Sequence, residues 1–171
     1  MNVHVSFDHV QEFIPRVPKQ RIKSEDSVTP RICVAGDVVS ALRAIPEAGY
    51  AIRGMQLLHM PVVIHAYYLT GDVFIPTLTQ LPDQEWTGEK WMLEKPRNVY
   101  HACYLLESPA LLEHTDLFGV TQPYLVSCKL KRVKNRDNRE ILFERFANKT
   151  EILANYSFRI IASTLGRYGA M

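Results

Sequence analysis

Residues 2–7 read NVHVSF, with His4 and Ser6 two positions apart. Side chains alternate between the two faces of an extended strand, so Val3 and Val5 share one face and His4 and Ser6 the other. An imidazole and a hydroxyl above an apolar anchor offer hydrogen-bonding groups to a polar ligand. Two further histidines, His65 in IHAYY and His101 in VYHACY, sit on strand-like runs among tyrosines. They line a pocket if their faces meet, or fill and edge a sheet, where aromatic residues are favoured. The run KLKRVKNRDNR at 129–139 holds six basic residues, among them Lys129, Lys131, Arg132, Lys134 and Arg136. Such a cluster meets phosphates or an acidic protein surface, and its plainer reading is a solvated hairpin tip.

Positioning these groups falls to a mostly β chain with one well-marked helix. After the first strand, Pro15 and Pro18 fix φ and favour extended geometry before them, giving a stiff arm that carries Arg16, Lys19 and Arg21. The segment KSEDSVTP is a polar loop. PRICVAGDVVSALRAIPEAG then predicts a strand over 31–35, a Gly-Asp turn and a helix capped by Asp37. Val38, Val39, Ala41, Leu42 and Ile45 form its apolar stripe, and Pro46 and Gly49 are expected to end it. Strands are expected at PVVIHAYYLT, KWMLE, VYHACYLLE and QPYLVSCKLKRVK, with 73–90 irregular between the first two. SPALLEHTDLFG, at 108–119, combines a serine cap, proline in the first turn and a terminal glycine, the pattern of a short helix. A turn is expected at NRDNR, and the residues from 140 onward fit either helix or strand.

The chain has 171 residues, 47% hydrophobic and 22% charged, enough for one continuous core, so a single domain over 1–171 is expected. Its formal charge of +2 creates no global field demanding a nucleic acid or membrane. Cys33, Cys103 and Cys128 lie in apolar runs without the close pairing of zinc sites. They read as core thiols of a reducing compartment, with no metal expected. No apolar stretch approaches bilayer length and no basic, apolar leader opens the chain, so a cytoplasmic protein is expected. Glycine-rich phosphate loops, the Gly-x-Ser-x-Gly elbow and the two-histidine zinc helix are all missing from the sequence.

Three pieces stand in a telling order: the strand with His-x-Ser, the strand-turn-helix ICVAGDVVSALRAI, and TGEKWMLEKPRNVYHACYLLE, where a glutamate opens a strand. In this set the chain resembles the ADP-ribosyltransferase superfamily, in the branch related to poly-ADP-ribose polymerases and RNA 2′-phosphotransferases. The resemblance spans the first two thirds of the chain. It implies an α+β domain with an antiparallel split β-sheet core and few short helices, using NAD as substrate.

By that resemblance His4 and Ser6 hold the ribose and carboxamide of the nicotinamide half of NAD. Cys33 stands where many members stack an aromatic ring on nicotinamide, and Val5 replaces a glycine of the first motif. Glu89 matches the glutamate that stabilises the oxocarbenium-like state, a task needing a fixed carboxylate in a partly desolvated cleft. Arg16 and Arg21 become pyrophosphate clamps, since guanidinium presents paired donors to phosphate oxygens. The implied activity is mono-ADP-ribosylation of a macromolecule, a protein before a nucleic acid, by a compact bacterial or phage effector. The alternative is a catalytically silent relative that binds an acidic partner through the basic hairpin at 129–139, and an RNA 2′-phosphotransferase ranks behind both. Each residue also has a plainer reading: His4 as a capped strand-end histidine, Glu89 as an exposed turn residue, Arg16 and Arg21 as solvated charges, and Cys33 as core.

Overall fold

The computed structural model describes residues 1–57, 61–115 and 118–133. Strand β1 (Asn2–Ser6) pairs antiparallel with β3 (Val62–Thr70), β3 with β5 (Asn98–Thr115), and β5 with β6 (Thr121–Arg132), giving the order β1-β3-β5-β6. Strands β2 (Ile32–Val34) and β4 (Lys90–Met92) form a second antiparallel pair. A two-way backbone bridge between Val3 and Ala35, 2.9 Å in each direction, joins that pair to β1. Helices α1 (Val38–Arg43), α2 (Ala48–Leu57) and α3 (Gln84–Thr87) complete a mixed α+β architecture of antiparallel sheets with few short helices. Among the described residues no helix is long and apolar enough to cross a membrane.

Alternation decides where the core sits. Val3 and Val5 of β1, with Ile64 and Ala66 of β3, bury one sheet face against Leu42 of α1 and Ile52 of α2. Asp37 caps α1 as expected, its carboxylate accepting from the Ser40 amide at 2.8 Å and the Ser40 hydroxyl at 2.7 Å. The opposite face carries Tyr67 and Leu69, which pack with Phe13 from the arm and with Ile32, Val34 and Met92 from the β2–β4 pair. His4 lies on this second face, in register with Tyr67 and through it with His101; Ser6 is in register with His65 and through it with Cys103.

Two expectations are corrected. The helix expected over 108–119 is not formed at 108–115: these residues belong to β5, and Ala110–Thr115 pair with β6. The Ser-Pro signal marks a bulge instead, with the ladder shifting between Glu107 and Ala110 and Ser108 at φ 49°. A cap is worth about 1 kcal/mol, less than pairing a whole strand segment against β6. Proline, which has no N–H to donate, is tolerated where the ladder is already interrupted.

The second correction concerns Gly49, which does not end helical structure but lies in the first turn of α2. A Cβ at this position would stand 2.0 Å from the Pro123 carbonyl oxygen of β6, so glycine is the residue that lets the helix touch the strand backbone. The irregular stretch before β4 contains the single-turn α3. The turn at NRDNR, Lys134, Arg136 and everything from 140 onward lie outside the described residues.

Candidate active site

The chain brings Glu89 inward through a local device. Gly88 adopts the left-handed conformation, φ 66°, and closes α3 with its amide on the Gln84 carbonyl. The next residue enters β4 with its amide donating to Thr87 Oγ1 at 3.2 Å and its carbonyl accepting from Gln84 Nε2 at 3.2 Å. Glu89 is therefore only 6% exposed, not the solvated turn residue of the plainer reading. Its Oε1 accepts from Trp91 Nε1 at 2.8 Å.

Cys33 lies between Glu89 and His4. Its thiol neighbours the Glu89 carboxyl, while its carbonyl oxygen lies 2.8 Å from His4 Nδ1. A carbonyl only accepts, so Nδ1 carries the proton and the lone pair of the imidazole is on Nε2. Phe13 stands edge-on to the His4 ring at 5.3 Å. His4, Ser6, Cys33 and Glu89 line one cavity of about 480 Å³, together with Lys19 and Glu25. That volume lies in the roughly 300–1,000 Å³ range of small-molecule sites.

Electrostatics divides the roles. Burial raises the Glu89 carboxyl to about 7; the hydrogen bonds from Trp91 and Cys33 oppose the shift, and the charges of Glu25 and Asp83 add to it. A carboxyl poised there exchanges protons near neutrality. Burial lowers the His4 imidazole, with its bond to the Cys33 carbonyl opposing, so the ring stays neutral. Burial and the neighbouring Glu89 push the Cys33 thiol well up, leaving a thiol rather than a nucleophilic thiolate.

Arg16 and Arg21 do not line the cavity. Arg16 is exposed and its backbone bridges Arg31, while exposed Arg21 hydrogen-bonds the Pro18 carbonyl at 2.5 Å. The arm contributes Pro18, Lys19 and Gln20 to the lining instead. Lys129, Lys131 and Arg132 are exposed on β6, and Arg132 stacks over Tyr100 at 5.6 Å while hydrogen-bonding its hydroxyl.

Sequence reasoning did not single out Glu25, Arg31 or Trp91. Arg31 is 2% exposed, lies 4.1 Å over the Trp91 ring and pairs with Glu25 at 2.5 Å, neutralising the second carboxylate of the cavity. Its signal is slight: an arginine at the start of a strand reads as an edge charge until burial is known. Comparison with family models, curated proteins and solved structures returns no match for this chain.

Proposed function

We propose that the chain is a NAD-dependent ADP-ribosyltransferase with its reaction centre in the cavity shared by His4, Ser6, Cys33 and Glu89. The observation that carries this reading is that a buried carboxyl from the residue before β4 and an imidazole from β1 line the same cavity, with Cys33 beside both. In the proposed reaction the bond between ribose and nicotinamide breaks, and nicotinamide leaves neutral with the bonding electrons. The ribose carbon becomes oxocarbenium-like, an acceptor nucleophile attacks it, and the acceptor's proton is released. Ionised Glu89 stabilises the developing cation from within a desolvated wall, where such a charge acts more strongly than in water. His4 and Ser6 hydrogen-bond the sugar and carboxamide, and Lys19 serves the phosphates in place of Arg16 and Arg21.

Incubation of the purified chain with NAD is expected to release free nicotinamide. Glu89→Gln, which keeps the Trp91 acceptor, should slow release roughly 10²–10³-fold, the usual loss for one preorganised electrostatic group. Release by the variant at the wild-type rate would remove Glu89 from the chemistry.

A second reading, a silent relative that binds an acidic partner, is favoured by one observation: among the described residues β6 is the last strand of the sheet, with Lys129, Lys131 and Arg132 exposed. It is the outcome supported if no nicotinamide appears while an acidic protein binds with steep salt dependence.

A further inference from the structure

We propose that His65, His101 and Cys103 form a zinc site on the sheet face that also carries His4 and Ser6. The inference is independent of the transferase reading. Its basis is the register of two strands. His65 on β3 stands directly opposite Cys103 on β5, and His101, two residues before Cys103, projects from the same face. Three ligand atoms of the type zinc prefers thus converge from one ladder, all within 4.8 Å of one another.

The spacing fits the ion. Cys103 Sγ lies 3.6 Å from His65 Nδ1 and 3.6 Å from His101 Nε2. A tetrahedral ion with Zn–S of about 2.3 Å and Zn–N of about 2.0–2.1 Å requires sulfur-to-nitrogen separations of about 3.6 Å. The two nitrogens are 2.8 Å apart and hydrogen-bonded, whereas the same geometry asks for about 3.3 Å, so roughly half an ångström of opening admits the ion.

On binding, the Cys103 thiol releases its proton. The imidazole that donates in the His65–His101 bond shifts its proton to its other ring nitrogen, so both ligand nitrogens present lone pairs.

The surroundings are built for a fixed site. His65 is 4% exposed and Cys103 2%. The Tyr67 ring stacks on His101 at 4.6 Å and 10°, and His65 stacks on His101 at 5.0 Å. The exposed side holds His9, whose ring lies 5.6 Å from both histidine rings and nearly perpendicular to them. Ligand spacing hides the site from sequence reading, because the three residues meet across strands instead of in a short Cys-x-x-Cys or His-x-x-x-His run.

The test uses the full chain, stripped with a chelator, dialysed and titrated with cobalt(II) and then zinc(II). One cobalt per chain should give tetrahedral visible bands and a thiolate-to-cobalt charge-transfer band, both erased by one equivalent of zinc. Zinc at a hundredfold excess over its Kd should raise Tm by roughly 5–10 °C. Cys103→Ser should lose the charge-transfer band, and His101→Gln, at a half-buried position, should weaken zinc binding at least tenfold. A folded wild-type chain without the charge-transfer band overturns the site, as does an unchanged band in Cys103→Ser. Should Cys103→Ser not fold, the wild-type spectrum and the His101→Gln affinity decide.

Discussion

At the residue scale, the burial of Glu89 makes stability depend on pH. Its carboxyl titrates near 7 in the folded chain against 4.5 for the ordinary group. Between those pH values the folded state holds more protons than the unfolded one, so stability falls as pH rises. The full advantage is present below 4.5 and is lost as pH passes 7, a difference of about 3 kcal/mol. Glu89→Gln cannot ionise and should flatten this dependence. Urea unfolding at pH 5 and pH 8 is expected to show wild type losing stability between the two while the variant changes less, and to show the variant the more stable of the pair at pH 8. Equal slopes for the two chains would show that Glu89 does not carry the shift. The same ionisation governs the proposed reaction, since the carboxylate form stabilises the cation; nicotinamide release should rise with pH through 7.

At the element scale, the contact between α2 and β6 is the most exacting. Gly49 places the helix backbone against Pro123, and an added methyl would lie 2.0 Å from a carbonyl oxygen that has no flexible side chain to yield. Gly49→Ala, favourable in an isolated helix, is expected to destabilise the chain by about 1–3 kcal/mol, measured as a lower urea midpoint. An unchanged or higher midpoint would mean that α2 and β6 separate freely.

Pro123 lies on β6, which among the described residues pairs only with β5, the edge setting in which sheets tolerate proline. These particulars show where local signals mislead. Gly49 has the residue type of a helix terminator but serves close approach, and the Ser108-Pro109 cap pattern serves a bulge. By contrast Asp37 and Gly88 act through neighbours three or four residues away, and only Asp37 was read from the sequence as a helix boundary.

At the scale of the molecule, the strand order separates the proposed reaction cavity from the basic edge that the second reading invokes. The cavity adjoins β1 and the exposed basic residues occupy β6, three strand spacings or roughly 14 Å across the sheet. Charge reversal at Lys129 and Lys131 should therefore leave nicotinamide release without an acceptor within about twofold, as screening over such a distance exceeds a Debye length of about 8 Å. Under the second reading, the same change should weaken capture of an acidic protein and flatten its salt dependence; binding assays at two ionic strengths check this. A large loss of acceptor-free turnover would mean that the basic edge reaches the cavity.

The sequence by itself determined which face each residue takes on β1 and the strand-turn-helix unit around Asp37. Those properties follow from period-two alternation and short-range capping, which act within a few residues. Only the tertiary structure decided that Glu89 is buried beside Trp91, that Lys19 rather than Arg16 or Arg21 lines the cavity, and that His65 meets His101 and Cys103. Strand partners and register are chosen by contacts between distant segments, and burial changes a carboxyl or a histidine cluster only after those partners have met.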